Sequence, residues 1–169
     1  TTIGDRKPGV LEGSFATAQF SKPGALARLP DGDLLVTDTG SSAIRRIHVQ
    51  QELVSTVSGG ITGSYRNGNL KDAAFNAPAG IVVSANSSIF VADYFNRTLR
   101  VFRLDQGLVE TLAGVQNKAG DTDGLLRNAL LSHPNFMCFS PKGDLYWSES
   151  HSSRIRYIPG LSEPFQDMN

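Results

Sequence analysis

Three carboxylates and three arginines recur at fixed spacing and are the side chains of this sequence best suited to chemistry. The carboxylates lie 55 and 56 residues apart, and an arginine follows each of them seven residues later. The pairs are Asp38 with Arg45, Asp93 with Arg100, and Glu149 with Arg156. A ring of such carboxylates could bind Ca²⁺, which prefers oxygen ligands. Because partners seven residues apart across a tight turn lie close on adjacent antiparallel strands, we interpret each pair as a structural contact of the acid with the arginine or with turn N–H groups.

The histidines are the other residues able to hold a metal ion or to act as acids and bases. They are His48, His133 and His151, and a zinc site needs three converging histidine or carboxylate ligands. We place His48 at the end of a third strand, His133 in a loop before a first strand, and His151 in a turn after a second strand. Since these are different places in the repeated unit, we predict that the three do not converge. The sequence therefore predicts no metal site and no cofactor, and a zinc- or calcium-dependent hydrolase or lyase stays as an alternative.

Further landmarks keep the same period and show that three copies of one unit fill the chain. In each copy a bulky apolar residue stands three positions before a proline, and a glycine lies seven residues before that apolar residue. An apolar run then ends at the repeated acid. The landmarks are Phe20 and Pro23, Phe75 and Pro78, Leu131 and Pro134; Leu34–Asp38, Ile89–Asp93 and Leu145–Glu149; and Gly13, Gly68 and Gly124.

Each copy is predicted to form four short antiparallel strands. In the second copy the predicted strands are Gly80–Ser84, Ile89–Asp93, Thr98–Arg103 and Leu108–Leu112. Tight turns followed by one long polar exit loop are typical of a β-meander. A repeated four-stranded meander is the blade of a β-propeller, so the sequence predicts an all-β fold of three propeller blades.

The motifs of the second copy resemble NHL repeats. They are Phe75-Asn76-x-Pro78-x-Gly80-Ile81, Ile89-Phe90-Val91-Ala92-Asp93, Asn96-Arg97-x-Leu99-Arg100 and Val109-x-Thr111-Leu112-Ala113-Gly114. The resemblance covers almost the entire chain, and the third copy departs most, with Leu131 for Phe and Glu149 for Asp. It implies one NHL-type propeller segment over residues 1–169, with blades at about 21–59, 76–114 and 132–169. NHL repeats build propellers, most often six-bladed, that act mainly as binding platforms, and the resemblance implies that role here.

An open segment of three blades would leave two apolar blade faces uncovered, because each blade packs on its neighbours. Propellers close with about four to eight blades. We therefore expect either further repeats in a longer parent chain or self-association, in which two chains close a six-bladed ring. Residues 1–4 match the end of a fourth strand and are predicted to form an orphan outer strand, given to the third blade of another chain. The fourth-strand position of the third copy holds Pro164–Met168, a poor match because proline lacks an N–H.

The loops after the second and fourth strands of each blade are expected on one face, where function would lie. The candidates for this binding face are Tyr94, Phe95, Arg97, Tyr65, Arg66 and His151. Tyrosine and arginine are frequent binding hot spots, so we predict a non-enzymatic scaffold that binds a protein or peptide. Stacking of these side chains on single-stranded RNA is one alternative, and packing of Tyr94 and Phe95 between blades is another.

Composition limits the partners. Lysine and arginine number 16, as do aspartate and glutamate, and this zero net charge argues against a nucleic-acid partner. The apolar runs fall short of the ~18 residues that a membrane helix needs, so no membrane insertion is expected. The single cysteine, Cys138, lies in an apolar run and is predicted to be buried and inert. The compartment is unknown from the sequence, although the glycosylation sequons at Asn86 and Asn96 favour an extracellular ectodomain if they are used.

Overall fold

The computed structural model describes residues 2–60 and 63–161, which form three antiparallel sheets. The first sheet contains β1 (Gly13–Ser14), β2 (Pro23–Arg28), β3 (Leu34–Asp38), β4 (Ala43–His48) and β5 (Leu53–Gly59). The second contains β6 (Gly68–Asn69), β7 (Pro78–Val83), β8 (Ile89–Asp93), β9 (Thr98–Arg103) and β10 (Leu108–Ala113), and the third contains β11 (Pro134–Phe139), β12 (Leu145–Glu149) and β13 (Arg154–Ile158). The predicted all-β fold of propeller blades is confirmed.

Helical structure is almost absent from the part of the chain that the structure describes. A three-residue 3₁₀ turn at Thr39–Ser41 joins β3 to β4. None of the described residues belongs to a helix of the length and apolar character that crossing a membrane requires.

The first two sheets each carry a fifth strand that the sequence pattern did not predict. Their strand orders are β1-β5-β4-β3-β2 and β6-β10-β9-β8-β7, so the two-residue strands β1 and β6 lie at an outer edge. These strands begin at Gly13 and Gly68, whose φ angles are 140° and 138°. Because glycine alone adopts such angles readily, the repeated glycine marks the point where an incoming loop turns to run along the sheet edge.

The register places each repeated proline opposite a repeated acid. The pairs are Pro23 with Asp38, Pro78 with Asp93, and Pro134 with Glu149, and a register shift follows each of them. The loop that enters a blade therefore meets the turn that leaves its second strand at the same end of the sheet.

The hydrophobic core lies between neighbouring sheets and includes residues of the incoming loops. Leu35 and Ile44 of the first sheet pack with Phe75, Val91 and Phe102. Phe90 and Leu99 of the second sheet pack with Leu131, Leu145 and Trp147. The loop residue Phe75 stacks on Phe102, with ring centroids 5.6 Å apart, so each incoming loop fills the space between two blades.

The third sheet has an exposed apolar face. Phe136, Ile155 and Tyr157 on this face are 67%, 71% and 59% exposed. Cys138 is also exposed, so the prediction of a buried thiol is wrong. Met137 and Phe139 pack into the core, and the alternation of a β-strand turns the residue between them outward. An unbroken apolar run does not reveal which of its residues point to which face.

Two predictions concern the chain ends. Thr1 and Pro164–Met168 lie outside the described residues. Residues 2–4 form no strand in this chain. The Gly4 N–H donates to Phe15 O at 2.7 Å, as the Gly114 N–H does to Leu126 O at 2.9 Å in the later copy. Residues 2–4 thus approach the first blade as a fourth strand approaches the blade that follows it.

An arginine on the third strand of each blade, fully buried in the first two blades and 11% exposed in the third, fastens the incoming loop. Arg100, whose side chain is fully buried, donates from Nη1 to Asp93 Oδ2 at 2.8 Å and to Ala74 O at 3.1 Å. Its Nη2 donates to Arg66 O at 2.9 Å and to Asn67 Oδ1 at 2.7 Å. We call each such arginine, with its acid, an arginine clamp.

The other two clamps hold carbonyl groups at equivalent positions. Arg45 donates to Gln19 O at 2.8 Å and to Leu11 O at 3.0 Å, and Arg156 donates to Leu130 O at 2.7 Å and to Thr122 O at 3.3 Å. The nearest nitrogen–oxygen distances to the acids are 3.6 Å for Arg45 with Asp38 and 3.3 Å for Arg156 with Glu149. The same three-way connection of strand, turn and loop is therefore present in every blade.

Replacing Arg100 with methionine should lower the free energy of unfolding by about 3–5 kcal/mol, because the change leaves Asp93 as a buried carboxylate without its ion-pair partner. Urea unfolding followed by Trp147 fluorescence measures this loss. The matched control is Arg28→Met at an exposed strand position, which should stay within about 0.5 kcal/mol of the native protein. A loss below about 1 kcal/mol for Arg100→Met would contradict a role of the clamp in stability.

Gly68→Ala tests the backbone requirement at the outer edge. A Cβ atom at Gly68 or at Gly107 would meet nothing within 4 Å, but the φ angles are 138° and 66°. Alanine adopts the left-handed helical region at a cost of about 1–2 kcal/mol, whereas the region near 138° is essentially reserved for glycine. Gly68→Ala should therefore lower the melting temperature more than Gly107→Ala, and equal shifts would contradict this explanation.

Candidate functional site

The site with the most chemical potential lies at the end of the blades where the repeated prolines and acids meet. This end, which we call the loop face, consists of turns 39–42, 94–97 and 150–153 and of the loop ends 19–22, 74–77 and 130–133. The arginine clamps lie directly beneath it and fix its backbone. Side chains on the loop face are therefore presented from an anchored framework.

An aromatic and imidazole cluster occupies the loop face where the second and third blades meet. The His133 and His151 rings are 4.0 Å apart between centroids, and Tyr94 lies 5.0 Å from His133 and 6.0 Å from His151. Phe95 packs edge-on to Tyr94 at 5.0 Å and to His133 at 6.1 Å. We call Tyr94, Phe95, His133 and His151 the loop-face cluster.

The loop-face cluster is open to solvent and has polar atoms at its edge. Phe95 is 50% exposed, His151 is exposed, and Tyr94 is partly buried. The Tyr94 hydroxyl lies 3.3 Å from both Ser150 Oγ and His151 Nδ1. The cluster thus combines accessible ring surface with hydrogen-bonding groups.

The approach of His133 to His151 was not predicted from the sequence, which addressed only a convergence of all three histidines. Pro134 lies opposite Glu149. His133, which precedes Pro134, and His151, which lies two residues after Glu149, therefore meet at the loop face. The antiparallel pairing of a first strand with a second strand carries this information, and the pairing was implicit in the predicted meander. His48 lies elsewhere, with Nδ1 3.1 Å from Asp33 Oδ2 and Nε2 2.8 Å from Ser55 Oγ.

The Asp33, His48 and Ser55 arrangement has the order of contacts found in nucleophilic triads, and the sequence analysis missed it. Arg46 Nε also binds Asp33 Oδ2, at 2.7 Å. At the equivalent place in the second sheet, Arg103 pairs with Glu110 at 3.1 Å. The position therefore serves as a cross-strand polar pair in both sheets, and we interpret the His48 contacts in the same way.

His133 occupies a special backbone position. Its φ is +57°, and the equivalent residues Lys22 and Ala77 have φ of +53° and +52°. Burial lowers the pKa of His133, and the neighbouring His151 and Arg97 lower it further while Glu149 opposes them. His133 Nδ1 is buried and makes no hydrogen bond among the described residues. The lowered pKa therefore favours the neutral imidazole of His133.

The remaining predicted binding residues separate into two groups. Arg97 borders the loop-face cluster and has a φ of +59°. Tyr65 instead contacts the clamp of the second blade, with the Arg100 guanidinium 4.7 Å from its ring centroid and its hydroxyl 2.5 Å from Thr111 Oγ1. Arg66 is exposed and its carbonyl accepts from Arg100. Tyr65 and Arg66 thus lie against the clamp, and their loop joins the 94–97 turn through Asn96 Nδ2, which donates to Ser64 O at 2.9 Å.

The repeated acids are buried behind the loop face. Asp38, Asp93 and Glu149 are at most 1% exposed. Burial raises the pKa of Asp93 to about 6 against the opposing effect of Arg100, and burial also raises the pKa of Asp38. Within residues 2–60 and 63–161, no group of three or more His, Cys, Asp and Glu side chains could hold a metal ion.

One of the two glycosylation sequons is accessible. Asn86 is exposed at the tip of the β7–β8 turn. Asn96 is 2% exposed and donates to Asp93 Oδ2 at 2.8 Å. In the folded chain the amide of Asn96 is engaged in the clamp region, so Asn86 alone presents a glycosylation sequon to a modifying enzyme.

Comparison with family models gives no match for the chain. Among curated proteins, SUPPRESSOR OF QUENCHING 1, a chloroplast protein of Arabidopsis thaliana, is 28% identical over 153 residues, which cover 84% of this chain and 14% of that protein. NHL repeat-containing protein 2 of Gallus gallus is 32% identical over 91 residues, covering 54% of this chain and 12% of that protein. The chain thus spans about one seventh or less of the length of these two relatives.

Solved structures show the fold. A protein of unknown function from Bacteroides thetaiotaomicron superposes with a TM-score of 0.75 at 24% identity, covering 81% of this chain and 34% of that one. A gluconolactonase from Xanthomonas campestris superposes with a TM-score of 0.54 at 14% identity, covering 75% of this chain and 34% of that one. The NHL-type motifs of the sequence coincide with the blades of the fold, and a curated relative carries the same repeat in its name. This chain is therefore similar in sequence to NHL repeat-containing proteins, and its fold is that of β-propeller blades.

Proposed function

We propose that this chain is a non-enzymatic scaffold that binds a protein or peptide through the loop-face cluster. The observation that carries the proposal is the exposed set of aromatic and imidazole rings at the junction of the second and third blades. Aromatic side chains supply large contact areas and are enriched at the centres of protein interfaces.

Preorganisation supports the proposal. The clamps fix the loop ends on either side of the loop-face cluster through bonds to Ala74 O and Leu130 O. A ligand that docks on such a surface does not have to order the backbone, and this lowers the entropic cost of binding. The Tyr94 hydroxyl and the imidazole nitrogens supply the hydrogen bonds that would orient a peptide.

An enzymatic function is the second candidate, and the approach of His133 to His151 is the observation that favours it. A gluconolactonase shares the fold, but the likeness at 14% identity concerns the fold alone. Zinc or calcium measured at one equivalent in the purified chain, and lost with an activity on chelation, would favour this candidate. A metal-free chain that still binds peptides would favour the scaffold.

Replacing Phe95 with alanine should weaken peptide binding at least tenfold, a loss of about 1.4 kcal/mol. The probe is a peptide selected from a random displayed library against the native chain, with its dissociation constant measured by calorimetry. The matched control is Leu125→Ala, because Leu125 is also an exposed apolar side chain, at 77%, outside the loop-face cluster. Equal affinities of the two variants, or a selected set of peptides that ignores Phe95, would contradict the proposed site.

The titration of His133 checks the electrostatics of the loop-face cluster. Its pKa should lie below the ordinary value near 6.5 and should rise in His151→Gln, because a neighbour that lowers it is removed. In the native protein the pKa of His133 is lower in the folded state than in the unfolded state, so the unfolded state binds more protons. His133 therefore contributes stability at neutral pH that is lost as the pH falls through its folded pKa. Proton NMR of the imidazole signals measures the titration, and an unchanged midpoint in His151→Gln would refute the coupling.

A further inference from the structure

The loop face carries positive charge that the zero net charge of the whole chain conceals. Its turns and loop ends contain no aspartate and no glutamate. They contain the cations Lys22 and Arg97 and the histidines His133 and His151. A surface with basic groups and no exposed acid attracts anions.

The repeated acids beneath the loop face offer no carboxylate to solvent. Both oxygens of Asp93 accept hydrogen bonds, Oδ1 from the Asn76 N–H at 2.8 Å and Oδ2 from Arg100 Nη1 at 2.8 Å. Both oxygens of Glu149 are engaged in the same way, within its clamp and the turn that follows it. Since these acids are at most 1% exposed, an anion that approaches the loop face meets the basic side chains first.

Arg97 is the cation that borders the loop-face cluster, and its charge has no acceptor within the described residues. It lies close enough to His133 to lower the pKa of that imidazole. The Arg97 side chain is partly buried, its Nε is buried without a hydrogen bond, and its guanidinium forms no ion pair with a described residue. Because burying a charged donor without an acceptor is costly, an anionic ligand would supply what this guanidinium lacks.

Arg97 is also particular to this junction of blades. The equivalent residues of the first and third blades are Ser42 and Ser153, and all three have φ angles between 54° and 59°. Ser42 Oγ accepts from the N–H of Ala77 at the start of the second blade, at 3.2 Å. The turn therefore needs no arginine to reach the next blade, in contrast to the clamps, whose arginine occurs in every blade.

Further donors and an apolar surface adjoin Arg97. The ring nitrogens of His133 make no hydrogen bond with the described residues, and neither does His151 Nε2. The Tyr94 hydroxyl lies at the edge of the same cluster, 3.3 Å from His151 Nδ1. Phe95 is 50% exposed, so the cluster joins unpaired N–H donors to an open aromatic ring.

We infer that the peptide bound by the loop-face cluster presents a carboxylate to Arg97 and the imidazoles, and beside it an apolar side chain that packs on Phe95. This inference rests on the proposed function and names the class of ligand for the same site. The carboxylate belongs either to an aspartate or glutamate side chain or to the C terminus of the peptide.

A carboxylate suits these donors better than a nucleic-acid backbone does. Guanidinium and carboxylate groups are both planar and can form two parallel hydrogen bonds. A phosphate backbone is bound by several lysines and arginines that follow the strand. The loop face has only Arg97 at the cluster and Lys22 on the first blade, and this favours a ligand with a single localised charge.

Peptides selected from a random displayed library against the full native chain test the inference. The selected sequences should place an aspartate or glutamate beside an aromatic or aliphatic residue. Calorimetry then compares each peptide with a neutral copy in which asparagine or glutamine replaces the acid, and each with a free and an amidated C terminus. Removing the responsible carboxylate should weaken binding at least about fivefold, and added salt should reduce this difference.

Arg97→Gln completes a double-mutant cycle on the same peptides. The variant should bind the acidic peptide at least about fivefold more weakly and the neutral copy less than about twofold more weakly. The matched control is Arg28→Gln, because Arg28 is exposed at the end of β2 remote from the loop face, and it should change neither affinity. Melting temperatures establish that both variants are folded.

The outcomes separate this inference from the proposed function. If Phe95→Ala weakens binding but neither the neutral copy nor amidation does, or if Arg97→Gln weakens acidic and neutral peptides equally, the inference is overturned and the scaffold proposal stands. If no peptide binds, or if Phe95→Ala binds as the native chain does, the proposed function fails and the inference with it. Oligouridylate that binds more tightly than the acidic peptides and is lost in Arg97→Gln would assign the cluster to RNA and overturn the inference.

Discussion

The arginine clamp of each blade is the constraint on which the rest of the structure depends. A guanidinium group removed from water must be neutralised and must have its N–H groups satisfied. Arg100 meets both requirements with one carboxylate and with acceptors from two stretches of the incoming loop. A blade can therefore bury this charge only when its loop has docked, which makes the blade and the connection before it one structural unit.

The clamps explain why a ligand site forms at one end of the blades. They fix the loop ends and the turns that surround the loop-face cluster, while the residues that form the cluster differ from blade to blade. Tyr94 and Phe95 have Thr39 and Gly40 as their counterparts in the first copy, and His133 has Lys22 and Ala77. The scaffold is thus repeated and the chemistry is local to one junction.

Most of the fold could be predicted from the sequence because the period fixes which residues are equivalent, and apolar runs between turns identify strands. Three features could not be obtained in this way. The edge strands at Gly13 and Gly68 are too short to show a pattern, and the outward side chain of Cys138 depends on strand register. The meeting of His133 with His151 depends on which strand ends pair, and a linear comparison of positions in the repeat ignores this.

The left-handed residue before each repeated proline has a wider meaning. Lys22, Ala77 and His133 share φ angles of 53°, 52° and 57°, although a lysine, an alanine and a histidine differ greatly in size and charge. The backbone at this position accepts side chains of very different chemistry and places each at the equivalent point of its blade. Evolution could therefore alter the recognition properties of the propeller by single substitutions at these positions, one blade at a time, while the fold of the blades stays unchanged.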